Sequence, residues 1–341
     1  MPFIERSPLE AGFARVFDEK LAPELDRLEA RRLALLAAAR RQAGIALAVG
    51  VAVGVLAAMS AGSEGWAGLL LGLGVPTAIG AGVALILWKR QAGKWEGEVA
   101  RTVMPVVCGF IGDLDYDREA MGGFPLQRAQ KLGVIGSFTD ARLTDRLEGR
   151  YRDTPFELVE AKLTSKSRSR GKDESSKTTT VFDGLLFRIG VPEPVAAPIL
   201  IARDYTSVGN KLAEMLSFGS GRGSMPKVEL PHERFESHFE VYSRDPDAAR
   251  ALLAPGFLDN LMEVGDSEGG QKGLKGLQAG FLDDSFFLAL SREGDFLAMG
   301  SLSRPATGIE ADLHAVFDDI ALVRRIIDRL HGDAPRDSAT A

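Results

Sequence analysis

Two uncharged apolar runs constrain this chain more than any other feature: residues 43–61 (AGIALAVGVAVGVLAAMSA) and 66–88 (WAGLLLGLGVPTAIGAGVALILW), joined by Gly62-Ser63-Glu64-Gly65. A bilayer core about 30 Å thick is crossed by about 20 apolar helical residues. At about 1.5 Å per residue the runs reach about 28 and 34 Å. Core helices of soluble proteins keep a polar stripe. Two successive runs without one predict a transmembrane helical hairpin rather than a buried helix pair.

Arg31, Arg32, Arg40 and Arg41 precede the first run, and Lys89, Arg90 and Lys94 follow the second, whereas the connecting loop carries only Glu64. Positive flanks resist translocation. The expected topology is therefore two spans in a bacterial inner membrane with both chain ends cytoplasmic. Trp66 and Trp88 sit at opposite ends of the second span, where indole rings favour the interface. Gly50 and Gly54, and Gly68 and Gly72, remove side-chain bulk at one-turn spacing, which lets helix backbones approach closely. Pro76 lacks a backbone donor and is expected to kink the second span near Gly72. The spans hold no ionisable residue, which favours packing over transport.

The organisation predicted from the remaining pattern is amphipathic helices over 1–42, the hairpin over 43–88, and a membrane-proximal helical linker over 89–123. A cytoplasmic α+β domain over 124–331 and a disordered tail over 332–341 complete it. The fold class is thus α+β, a mostly antiparallel sheet packed by helices behind a transmembrane hairpin. The formal net charge of −6 argues against general nucleic-acid binding. Cys108 is the only cysteine, so no intrachain disulfide can form, as suits a reducing compartment. A cleavable signal peptide is not expected, because the first apolar run begins only at Ala43.

Ser7-Pro8-Leu9-Glu10 spells a helix start, with Glu10 placed to reach back to the serine. A second helix from Pro23 carries Leu25, Leu28, Arg32, Leu35 and Ala39 and runs into the first span. Trp95, Val99 and Val103 are spaced to face that stripe, predicting an antiparallel stalk; two separate helices packed on the domain are the alternative. Pro105 is expected to end or bend the helix. Strands are expected at 156–163, 181–187, 198–202, 227–230 and 237–243. Asp245-Pro246 marks a capped helix start, and 257–264 a second short helix. Residues 281–282, 285–290 and 296–299 read as a hairpin turning at 292–295. The last helix spans about 308–331.

These features, in this order, resemble a bacterial family of uncharacterised membrane proteins, domain of unknown function 3137. The resemblance rests on TPFELVEAKL (154–163), TVFDGLLF (180–187) and above all FESHFEVYSRDPDAARALLAP (235–255), with FLDDSFFLAL (281–290) and the terminal helix beside them. It implies an α+β domain behind a helical hairpin and brings no catalytic residues. The glycine-rich stretch 265–280 departs from the family pattern.

No catalytic, cofactor or metal constellation emerges, and no cofactor is expected. His232 and His238 read as lying on or beside one strand at even spacing, too far apart if extended to share a metal. His314 and His331 fall on the last helix without a second ligand one turn away. Cys108 has apolar neighbours that would raise a thiol's pKa. The stretch 217–224 lacks a P-loop ending and reads, like 265–280, as a connector. Asp283/Asp284 and Asp318/Asp319 are adjacent pairs that point apart. One charged feature stands out: the loop KLTSKSRSRGKDESSK (162–177), whose Lys162, Lys166, Arg168, Arg170, Lys172 and Lys177 could contact anionic headgroups. A solvated loop is the plain alternative. The expected role is a membrane-anchored interaction or scaffold module whose partners are membrane lipids and a further protein, with no nucleic acid. A membrane-tethered enzyme with a site scattered in sequence is the competing expectation.

Overall fold

The computed structural model describes residues 3–60, 65–168, 176–203 and 224–332. The chain forms two compact units: Met1–Arg6, Glu10–Phe110 and Ala298–Val316 make the first, and Ser7–Leu9, Ile111–Leu297 and Phe317–Ala341 the second.

The first unit is helical. A short α1 (Phe13–Val16) is followed by α2 (Leu25–Ser60) and α3 (Gly65–Ile111). At about 1.5 Å per residue, α2 is about 54 Å long and α3 about 70 Å. Each therefore extends well beyond the thickness of a bilayer core. Arg31 pairs with Glu98 at 3.3 Å, and Gln91 donates to Gln42 at 3.0 Å. Ala46 faces Gly80 and Gly54 faces Leu73. Each step along α2 is met by a step back along α3, so the antiparallel stalk and the apolar hairpin are one continuous pair. Leu28, Arg32, Leu35, Ala39, Trp95, Val99 and Val103 are buried, as their spacing predicts. Pro105 neither ends α3 nor interrupts it; the helix continues to Ile111.

Residues 298–308 lie against this stalk. The Arg32 Nη1 donates to the Leu302 carbonyl at 2.8 Å, and Glu29 accepts from the Ala306 N–H at 2.8 Å. Gly300 has φ +81°, and a Cβ there would sit 2.8 Å from Val99 Cγ2, so only glycine lets the loop come this near α3. Glu10 accepts from the Arg6 N–H and from His314.

The second unit is a sheet covered on both faces. Its nine strands among the described residues are β1 (Leu114–Asp117), β2 (Asp140–Tyr151), β3 (Thr154–Arg168), β4 (Ser176–Gly190), β5 (Ile199–Arg203), β6 (Lys227–Val228), β7 (Phe239–Ser243), β8 (Leu277–Leu282) and β9 (Ser285–Ser291). Their order is β1-β2-β3-β4-β9-β8-β5-β7-β6, with every neighbouring pair antiparallel. Strand alternation separates the two faces. Val159, Ala161, Leu163, Phe287 and Ala289 pack with Leu126, Ala129 and Leu132 of α4 (Leu126–Leu132). On the opposite face, Phe286 meets Phe257 at 5.9 Å between ring centroids.

Phe257 belongs to α7 (Pro255–Glu268), which follows α5 (Glu233–Glu236) and α6 (Pro246–Leu252). Asp245 caps α6 by accepting from the Ala248 N–H at 3.0 Å, with Pro246 in the first turn. The last helix, α8 (Ile309–Leu330), gives its first turns to the helical unit and the remainder to the sheet unit.

Three expectations need correction. The β hairpin is β8–β9, turning at Asp283 with φ +55°, and residues 296–299 are not a strand. There the Phe296 N–H is taken by Glu160 and the Leu297 N–H by Asp319, so no ladder forms. The stretch 265–280 is no connector: it holds the end of α7, a 3-10 segment Gly270–Gly276 and all but the end of β8. Finally, the chain between His232 and His238 is not extended, although His238 lies beside β7. His232 caps α5 and His238 follows that helical turn.

Candidate functional site

The α2–α3 pair places its small residues inward. A Cβ added at Gly50 would sit 2.8 Å from the Pro76 carbonyl oxygen and 2.9 Å from Gly80 Cα. One at Gly54 would sit 2.9 Å from the Leu73 carbonyl, and one at Gly72 2.9 Å from Ala58 Cα. Gly80, not singled out in the sequence, meets Gly50 and the Ala46 carbonyl in the same seam. Gly68 lies in α3, outside the residues whose packing is described. The large apolar side chains point the other way: Leu56, Met59, Leu71, Ile79, Leu85 and Ile86 are each 63–76% exposed. Both helices are long and apolar enough to cross a membrane.

The described ends of the basic stretch 162–177 are strand. β3 runs to Arg168 and β4 begins at Ser176, in register from Thr164↔Thr180 to Arg168↔Ser176. Lys162 is bonded to Asp183 at 2.7 Å, which raises its pKa, and Lys166 lies 4.0 Å from Asp140. Lys177 is exposed. The side chain of Arg168 and the whole of Arg170 and Lys172 lie outside the described residues.

A carboxylate group that the sequence did not announce lies on the same sheet. Glu160 in β3 accepts from the Phe296 N–H at 2.9 Å, and its pKa is pushed up to about 7. Burial is the main cause, and the charges of Asp145, Asp295 and Asp183 add to it. Asp145 sits where β2 bulges, at φ +53°, and accepts from the Tyr116 hydroxyl. Burial raises its pKa and also that of Tyr116. Alternation alone reads Glu160 as part of a solvated strand face. Its burial comes from chain that returns more than a hundred residues later, and no local signal carries that.

Most of the other candidate side chains named in the sequence have partners of their own. His232 Nε2 lies 3.0 Å from Asp259, and His238 Nδ1 lies 3.0 Å from the Arg234 carbonyl. His331 lies 3.4 Å from Thr154 Oγ1. Asp283 and Asp284 both face Arg128, at 3.1 and 3.4 Å. Asp319 takes Arg292 and the Leu297 N–H, while Cys108 is buried. Among the described residues no group of three or more His, Cys, Asp or Glu side chains could hold a metal ion. The stretch 217–224 lies, up to residue 223, outside the described residues.

No curated protein matches the chain. Among solved structures, the crystal structure of the mycobacterial trehalose monomycolate transport factor A, TtfA, aligns over 65% of this chain and 89% of that one. Its identity is 12% and its TM-score 0.32, a likeness too low to bear on fold or function. Residues 180–331 match the family model described as "Protein of unknown function (DUF3137)". The match takes in TVFDGLLF, the stretch around β7 and the last helix. Over residues 180–331, then, the sequence carries the pattern of domain of unknown function 3137, the family it resembles.

Proposed function

We propose that this protein is a membrane-anchored cytoplasmic interaction module of the bacterial inner membrane, with two spans and both termini cytoplasmic. The observation that carries this reading is the inside-out hairpin: glycines meet along the α2–α3 seam while leucine, isoleucine and methionine face outward. Apolar surface on that scale calls for lipid or another apolar surface to cover it, and the arginines and lysines flanking the runs support cytoplasmic ends. The sheet unit then lies in the cytoplasm, on the side of the anionic leaflet. The ribbon of β3 and β4 is its contact with headgroups, at about 1 kcal/mol for each basic residue that reaches the surface. The competing reading, a membrane-tethered enzyme, draws on Glu160, whose carboxyl is poised near neutrality.

The ribbon contact is tested in nanodiscs holding the full chain, with a fluorophore at Ser167→Cys in a Cys108→Ala background. Brominated phosphatidylglycerol is expected to quench it strongly and brominated phosphatidylcholine weakly. Lys162→Gln/Lys166→Gln/Lys177→Gln, or high salt, should remove the difference. Equal quenching by both lipids would overturn the ribbon's role.

A further inference from the structure

β3 and β4 run on beyond the strands beside them. β2 pairs with β3 only as far as Thr164, and β9 pairs with β4 only over Gly184–Gly190. The outer part of the ribbon, Ser165–Arg168 against Ser176–Thr179, therefore has no strand on either side. Its two edges differ. On the β3 edge, the Lys166 N–H is taken by Thr139 Oγ1 at 2.9 Å. On the β4 edge, the main chain of residues 176–182 is bonded, among the described residues, only to β3. Every second residue of an antiparallel strand turns its N–H and C=O away from the neighbour it already has. Leu163 pairs with Phe182 and Thr164 with Thr180, so Val181 is an extra residue that closes the inner end of this open row. Lys177, Thr178, Thr179 and Thr180 are all exposed. A two-stranded ribbon is marginally stable in water, and a third strand makes it firmer.

We propose that the β4 edge at residues 176–180 takes an acidic, extended segment of a partner protein as an added strand. This rests on the sheet unit being an interaction module and gives the chemistry of its partner; it does not depend on the headgroup contact. Charge selects the occupant. The outer parts of β2, β3 and β4 carry Arg142, Lys162, Lys166 and Lys177 against Asp140 and Asp183, in a chain of net charge −6. Lys162 is matched by Asp183 and Lys166 by Asp140, which leaves Arg142 and Lys177 in excess. A second copy would lay one basic ribbon beside another, and like charge along an edge opposes that pairing. An acidic strand meets the same side chains with the opposite sign. Thr178, Thr179 and Thr180 fit a ladder position, since β-branched side chains favour extended backbone. Main-chain hydrogen bonds hold a strand added in this way, and the flanking charges choose which strand it is.

The probe is the synthetic peptide acetyl-Glu-Val-Glu-Thr-Glu-Val-Glu-amide, added to the full chain in phosphatidylcholine nanodiscs, where no anionic headgroup competes for the ribbon. Amide hydrogen exchange, read by mass spectrometry, is expected to slow several-fold over residues 176–182. The counterpart with lysine in place of glutamate should leave exchange there unchanged. So should the acidic peptide with proline at its centre, which keeps the charge and cannot complete a ladder. Lys177→Glu should raise the peptide concentration needed for protection several-fold, while β8 and β9 exchange as in the parent and show that the variant is folded. No protection at about 1 mM peptide, where even weak complexes form, would overturn the inference. Equal protection by the lysine or proline peptide would do the same. Protection that grows with protein concentration and no peptide would give the edge to a second copy and also overturn it. Headgroup contact is read by quenching without peptide, so either result can fail while the other stands.

Discussion

Gly50→Leu is expected to force the two long helices apart. The β-carbon alone would meet the Pro76 carbonyl and Gly80 Cα at 2.8 and 2.9 Å, and both obstacles are backbone. Overpacking of a close-packed site costs about 1–3 kcal/mol where side chains can shift. With helix backbone opposite, the upper end of that range is expected. Gly82→Leu is the matched control, since a Cβ there meets nothing within 4 Å. Cysteines at Gln42 and Gln91, whose amides bond at 3.0 Å in the stalk, report the outcome through a short bifunctional crosslinker. Crosslinking should fall several-fold with Gly50→Leu and stay at the parent level with Gly82→Leu. Equal yields in the two variants would mean that the seam does not hold the hairpin together.

Arg32→Ala is expected to be the most damaging single change in the stalk, at about 3 kcal/mol. The guanidinium is 6% exposed, forks onto Glu29 at 2.6 and 2.9 Å, and donates to the Leu302 carbonyl. Removing it strands that carbonyl and takes the counter-charge from a carboxylate that also holds the Ala306 N–H. Arg32→Lys should recover only part of the loss, because an ammonium cannot reproduce the planar fork. The Glu29 pKa is held down to about 2, chiefly by the hydrogen bonds from Arg32. Its contribution is therefore complete above about pH 4.5, the ordinary glutamate value, and fades as the pH falls from there towards 2. Thermal melts of the purified protein should show a midpoint several degrees lower in Arg32→Ala. They should also show a smaller loss of stability between neutral pH and pH 3 than in the parent. A variant that melts like the parent would remove the pair from the account.

Much of this architecture is legible along the sequence because the signals concerned are local. The hairpin shows itself by the absence of charge over two lengths that match a bilayer. Asp245-Pro246 shows itself by cap chemistry, and α8 by apolar residues at helical spacing. β2 was not legible, for a physical reason. Its sequence DARLTDRLEGRY is rich in charge, and the bulge at Asp145 shifts the inward-facing set part of the way along. Charge is tolerated there because Arg146 is paired with buried Glu157, to which Arg188 also reaches. In the sequence the outer ribbon reads as a loop, because Ser, Thr and Lys show no apolar alternation. What makes it strand is the ladder between β3 and β4.

The candidate sites divide along the same line. Lys162, Lys166 and Lys177 were visible as a charge run, but the acids that already hold two of them, Asp183 and Asp140, could not be assigned from spacing. Gly50 and Gly54 were visible as a spacing, while Gly80 was not, since its partner Gly50 lies on the other helix. Glu160 and the His314–Glu10 pair were invisible for a stronger reason. Each depends on residues more than a hundred positions apart becoming neighbours.

On the proposed reading α2 and α3 belong in lipid, with their charged ends on the side where the chain is made. Membranes from cells expressing the full chain, fused after Ala341 to a reporter active on only one side, give the most direct test. The account predicts that the protein stays with the vesicles through alkaline carbonate and that a cytoplasm-active reporter is on while a periplasm-active one is off. Release into the carbonate wash, or activity of the periplasmic reporter alone, would contradict it.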